Sequence, residues 1–222
     1  MIPEVAIEHG RKLFQSATNL RKSAPQLDSL LDSLWEKAQD EKYFGDVVDL
    51  GEGSGGGAKA WIAPAYSYNA GIAPSPHKKN KGKKQANKAP FGTISFIVRL
   101  CNAIDANEDL PDWPWLTQAC LIIGWHPNKE HDDKWNIENF EAVDENQVAI
   151  RFAGEGLWAW RDEGGDEDYA YFYVLPLFAL TDDEKAEECA LQPLKALFEA
   201  ADPVSVAKEA FGNAPVLLPT SQ

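Results

Sequence analysis

The sequence predicts an α+β domain: a mainly antiparallel sheet of about six or seven strands, with an N-terminal helical hairpin and C-terminal helices packed on it. Three observations carry this. Aromatic residues recur with period two between Gln147 and Phe178, strand-like apolar runs fill the middle of the chain, and helical periodicity is confined to the two ends. A single domain over residues 1–213 is expected, with a long basic Pro/Lys-rich loop at 64–90 inserted between strands and an extended tail at 214–222.

From the N-terminus, Val5, Ala6, His9, Leu13, Ala17 and Leu20 fall on one helical stripe, and Glu8 stands four residues before Lys12 on the outside. Ser23-Ala-Pro-Gln26 matches a capping box with Pro25 in the first turn. It therefore predicts a second helix carrying Leu27, Leu30, Leu31, Leu34, Trp35 and Ala38 inward and ending near Gly45. So short a link implies an antiparallel pair. No internal repeat and no heptad pattern is read.

Asp46–Leu50 and Ala58–Ala63 read as short strands separated by Gly51-Glu-Gly-Ser-Gly-Gly-Gly57. That loop lacks the features of a phosphate cradle. Ala58 and Ala60 flank Lys59, so the hydroxyl of a Walker A loop is missing, and no helix follows. A flexible hairpin connection is the expectation. Pro64, Pro74, Pro76 and Pro90 punctuate the next segment, whose centre His77–Lys88 holds six lysines and no acidic residue. Such a run has nothing apolar to bury and repels itself.

Phe91–Asn102 reads as a strand with Ile94, Phe96, Val98 and Leu100 on one face and Arg99 and Cys101 on the other. Leu116–Trp125 reads as another, followed by a polar loop, His126–Asp133, and a short helical turn through Trp135, Ile137 and Phe140. Gln147–Ala153, Leu157–Arg161 and Asp168–Phe178 complete the sheet around the turn Asp162–Asp168. Tyrosines 169, 171 and 173 lie on one face of the last strand, and Phe172 and Val174 on the other. Both faces are largely apolar, as in a central strand covered on two sides. Thr181-Asp-Asp-Glu184 then opens a helix to about Leu191, bent or restarted at Pro193. Asp202-Pro203 opens a last one that stops at Gly212, and the tail beyond Ala214 is expected to be extended or frayed.

The net charge of −14 is unevenly spread. Residues 1–104 hold 14 basic against 10 acidic side chains (+4), and residues 105–222 hold 7 against 25 (−18). The acidic half disfavours nucleic acid and anionic membranes and favours a basic partner. No apolar run approaches the roughly 20 residues that span a bilayer. Met1-Ile-Pro-Glu-Val leads into an amphipathic pattern and not into a signal peptide's apolar core. Three widely spaced cysteines, Cys101, Cys120 and Cys189, fit a reduced, cytoplasmic protein.

No constellation of catalytic residues emerges. Cys101 and Cys120 lie in strand patterns and Cys189 on an acidic helix, settings that do not favour a thiolate. Gly53-Ser54-Gly55 is not a nucleophile elbow. His126, His131 and Asp132 are the only weak metal candidates, at a spacing that matches no zinc signature. Asp132-Asp-Lys134 has the D-x-K order of metal-dependent nucleases but falls in a hydrophilic loop. No cofactor is implied. The expectation is a non-catalytic binding protein of accessory, immunity or inhibitor type, meeting a protein partner through surfaces of complementary charge. The alternative partner is nucleic acid, held by Lys78, Lys79, Lys81, Lys83, Lys84 and Lys88 while Trp61, Tyr66 and Tyr68 stack on bases. A second alternative is an enzyme with a metal-dependent site near His126–Asp133.

Overall fold

The computed structural model describes residues 4–45, 47–55, 65–72, 92–101, 116–127, 148–162 and 168–219. Seven strands form one antiparallel sheet: β1 (Val47–Gly55), β2 (Ala65–Ile72), β3 (Gly92–Arg99), β4 (Cys120–Pro127), β5 (Val148–Gly154), β6 (Leu157–Asp162) and β7 (Asp168–Pro176), in the order β1-β2-β3-β4-β7-β6-β5. One helix precedes the sheet, α1 (Glu4–Ala38). After it come α2 (Asp183–Ala186), a π-helical turn (Glu187–Leu191), α3 (Gln192–Glu199) and α4 (Pro203–Phe211). The expected α+β class is the observed one.

The period-two reading of the central strands places both faces. Tyr68, Phe96, Ile123 and Tyr173 are paired across β2, β3, β4 and β7 and share the face toward the helices. Ser67, Ile97, Ile122 and Val174 are the next row and face the other way. Both rows are buried, apart from the half-buried Tyr68. On the helical side the C-terminal half of α1 contributes Leu31, Leu34 and Ala38, and α3 and α4 contribute Leu194, Leu197, Phe198, Ala207 and Phe211. The Tyr173 hydroxyl donates to the Ala190 carbonyl at 2.5 Å, and its ring meets Phe211 edge-on, centroids 5.0 Å apart. Gly92 lets β3 pack closely on both β4 and α3, because a Cβ there would overlap the His126 carbonyl oxygen and stand 3.0 Å from the Phe198 ring.

The N-terminal helical hairpin does not form: Glu4–Ala38 is one helix with Pro25 inside it. Pro25 has no N–H for the Arg21 carbonyl, yet the helix continues. The physical reason lies in the apolar residues on either side. Leu13, Ala17, Leu20, Ala24, Leu27, Leu31, Leu34 and Ala38 are spaced 4-3-4-3-4-3-4, so they form one unbroken stripe only if the helix is unbroken. Burial anchors only its C-terminal end, at Leu31, Leu34 and Ala38. This spacing is a heptad pattern, contrary to expectation.

Three further expectations are corrected. Gly51-Glu-Gly-Ser-Gly55 is not a loop but the outer half of β1, paired with β2 after a register shift between Asp49 and Gly51. As an edge strand it needs only one hydrogen-bonded partner, which suits glycine. The irregular segment begins later than residue 64, since Ala65–Ile72 is β2. Its Ser67, Asn69 and Gly71 fill the second face as small polar or bare positions and so hide the strand signal. His126 belongs to β4 and not to a polar loop; it pairs with Thr93 and is 4% exposed.

The C-terminal elements follow their signals. The Asp182 carboxylate accepts from the Lys185 N–H at 2.8 Å, one residue later than the box at Thr181 implied. Asp202 caps α4 through the Val204 N–H at 3.1 Å, and Gly212 ends it at φ +53°. Among the described residues, to 219, the tail is extended and docked: the Leu217 N–H donates to the Val174 carbonyl at 2.8 Å. No helix among the described residues is long and apolar enough to cross a membrane.

Candidate functional site

The stripe on α1 continues beyond the sheet it packs on. Leu34 is fully buried and Leu31 is 8% exposed, whereas Leu13, five turns earlier, is 72% exposed. Between these ends Ala17, Leu20, Ala24 and Leu27 overhang a groove of about 1010 Å³. The sheet supplies its floor through Tyr66, Tyr68, Val98 and Leu100. At the inner end Tyr68 packs on Trp35, ring centroids 5.4 Å apart, while Tyr66 stays 41% exposed. The lining is mostly apolar, and its charges lie on one helical edge: Arg21, Asp28 and Asp32, spaced seven and four. Among the described residues none of these three forms an ion pair. An apolar trough this large, with charges along one edge, is suited to an amphipathic segment that buries its apolar side and keeps its polar side wet.

The opposite face of the sheet carries a second feature, a buried polar row across β2, β3 and β4. The Ser95 hydroxyl donates to Asn69 Oδ1 at 2.7 Å, and Asn69 Nδ2 donates to Ser67 Oγ at 3.5 Å. Thr93 and His126 adjoin it, and Arg99, 1% exposed, donates through Nε to the Cys101 carbonyl at 3.2 Å. Cys120 is the cross-strand neighbour of Arg99. Burial pushes its thiol up to about 12, with the nearby guanidinium only partly opposing the rise. That thiol is not a nucleophile near neutral pH. Among the described residues no three His, Cys, Asp or Glu side chains converge as metal ligands.

Compared with family models, with curated proteins and with solved structures, the chain matches none.

Of the residues singled out in the sequence, Tyr66 and Tyr68 are brought together on the groove floor. His126 is separated from them by the thickness of the sheet, since Thr93 and its partner His126 alternate with the row of Phe96 and Tyr68. Trp61, Lys78, Lys79, Lys81, Lys83, Lys84, Lys88, His131 and Asp132 lie outside the described residues. So do the strand expected at Ala58–Ala63 and the helical turn expected near Trp135–Phe140. The residues that reasoning from sequence missed are Leu13, Ala17 and Leu20 as groove wall and Val98 and Leu100 as floor. The signal for the wall was present in the 4-3 spacing running through Pro25. The floor carried none, because Val98 and Leu100 read as ordinary core positions of a strand.

Proposed function

We propose that this chain is a non-catalytic binding protein whose groove between α1 and the β2–β3 floor receives a helical segment of a protein partner. One observation carries the reading: an apolar stripe that is core at Leu34 is solvent-exposed at Leu13, above a trough with Tyr66 at its floor. Exposed apolar surface of this extent is a recurring mark of protein association. A helix laid there would present residues at i, i+3, i+4 and i+7 to the 4-3 stripe. Asp28 and Asp32 at the rim, and the charge of −18 over residues 105–222, favour a segment flanked by basic residues. A cytoplasmic setting belongs to the same reading.

The experiment is capture from the native host on immobilised protein, comparing the unmodified chain with Leu20→Asp and following retention through nuclease treatment and rising salt. A protein retained after nuclease, and lost with Leu20→Asp, supports the groove. The second reading is nucleic acid held by the lysines of 78–88, with Tyr66 as a stacking platform; its 41% exposure is the observation in favour. A DNA or RNA probe whose retention falls steeply with salt, and disappears when Lys78, Lys79, Lys81, Lys83 and Lys84 become Ala, would replace the first reading by the second. A metal ion co-purifying with the chain would favour the enzymatic alternative.

A further inference from the structure

The stripe along the overhanging half of α1 alternates in size: Gly10, Leu13, Ala17, Leu20, Ala24, Leu27. Small residues at every second seam position let a second helix approach closely, and the leucines between them need a hollow on that helix. The chain's own stripe meets both requirements when run antiparallel. About a two-fold axis between residues 17 and 20, Leu13 faces Ala24 of the second copy, Leu20 faces Ala17, and Leu27 faces Gly10. Every large side chain then meets a small one. A parallel pairing stacks leucine on leucine and alanine on alanine and leaves gaps between.

The flanks agree with that register. On one side Ser16 falls beside Ser23 of the second copy. On the other, which is the groove side occupied by Arg21 and Asp28, Phe14 of the second copy falls beside Arg21. Phe14 is 74% exposed, and a guanidinium over its ring supplies an attraction that the single chain leaves unused. Arg11, Lys12 and Lys22 point away from the seam, so no like charges are forced together. Gly10 faces open space, with no atom within 4 Å of a Cβ built there.

We propose that the groove is filled by α1 of a second copy of this chain, the two N-terminal halves crossing antiparallel about a two-fold axis with Leu13, Leu20 and Leu27 seated on Ala24, Ala17 and Gly10. This rests on the groove being a helix-binding site and names the helix. The interface is isologous, so it closes at two copies. Residues 31–38 stay in the core, and each copy contributes Leu13 and Phe14 to cover the other.

The test is light scattering after size exclusion on the full chain, from about 1 to about 100 μM, a range that brackets micromolar dissociation constants. Twice the chain mass of 24.5 kDa at the upper end is expected. Leu20→Asp and, separately, Ala17→Phe should return the single mass with an unchanged near-ultraviolet spectrum from the buried aromatic residues of the sheet, because both positions lie in the overhang. Register is read in a Cys101→Ser background under mild oxidation. A mixture of Ala17→Cys and Leu20→Cys chains should cross-link several-fold faster than either alone, whereas preferential cross-linking of Leu20→Cys to itself would overturn the antiparallel arrangement. A single mass at every concentration would overturn the second copy as occupant. If host capture then remained sensitive to Leu20→Asp, the groove reading would survive and only this inference would fall; if capture were insensitive too, both would fall.

Discussion

Glu187 ties the first helix to the last third of the chain, and its neutralisation should unlock that joint. It accepts from Lys42 Nζ at 2.5 Å and Lys37 Nζ at 3.1 Å, with the Tyr43 hydroxyl nearby. The contacts with Lys42, Tyr43 and Lys37 hold its carboxyl down at about 2, against an ordinary value of 4.5. Burial, with the Glu187 contact second, pushes the Tyr43 hydroxyl up in turn. Because the folded value lies below the unfolded one, the stabilisation is complete above about pH 4.5 and is lost as pH falls from there through about 2. The gap converts to a ceiling of about 3 kcal/mol. Lys42 is 51% exposed, so solvent screens the strongest of these contacts, and the expected contribution is about 1–2 kcal/mol. Glu187→Gln keeps the shape and one acceptor and removes the charge. Urea denaturation at pH 7 should show it less stable by that amount, a fall in Tm of about 2–8 °C for a chain of this size. The difference between the two proteins should shrink steadily from pH 4.5 downward. Equal stability at pH 7, or a difference that persists unchanged to pH 3, would refute the assignment.

Gly92→Ala should cost about 3 kcal/mol or more in thermal or urea denaturation, since the added carbon overlaps a backbone oxygen that cannot rotate away. Leu34→Ala, at a fully buried position of α1, should cost about 2–5 kcal/mol, whereas Leu13→Ala on the same stripe should cost less than about 0.5 kcal/mol in the single chain. With iodoacetamide at pH 8, Cys101 should react readily and Cys120 should stay unlabelled until the protein unfolds, as mass spectrometry of peptides will report.

How much of this was legible depends on which residues face inward. β3 and β7 were readable because Ile94, Phe96, Val98 and Tyr171, Tyr173, Leu175 alternate with residues that are buried for a second reason. The cap at Asp202 was readable, and that at Asp182 to within one residue of the box expected at Thr181, because a carboxylate beside free N–H groups is a local, sequence-adjacent interaction. β2 was not, because its second face is built from Ser67, Asn69 and Gly71, which look like a loop until Ser95 on the neighbouring strand is seen bonding Asn69. The unbroken α1 was misread for the opposite reason. Ser23-Ala-Pro-Gln26 is a true local signal for a helix start, but the Ser23 hydroxyl donates to the Asn19 carbonyl at 3.1 Å, back along the same helix. Burial of Leu31, Leu34 and Ala38 orients the helix C-terminal to Pro25, and the 4-3 stripe runs on through the proline in the same phase.

The same competition accounts for the groove. A helix tethered only by its last three turns carries its apolar stripe out over the sheet, and an intervening proline would ordinarily end it within a turn of its anchor. Retaining Pro25 in a helix costs about 3 kcal/mol relative to alanine unless something beyond the proline recovers it. Within the single chain little does: Leu13 and Phe14 remain exposed, and Ala17 and Leu20 are only half-buried. On the proposed reading the recovery comes from the helix seated in the groove, which couples helix order before Pro25 to occupancy. Amide exchange makes the coupling measurable. Protection at residues 8–22 should rise with occupancy, while protection at 31–38 stays constant, and equal protection of both stretches at every concentration and with every partner would separate the helix from the site.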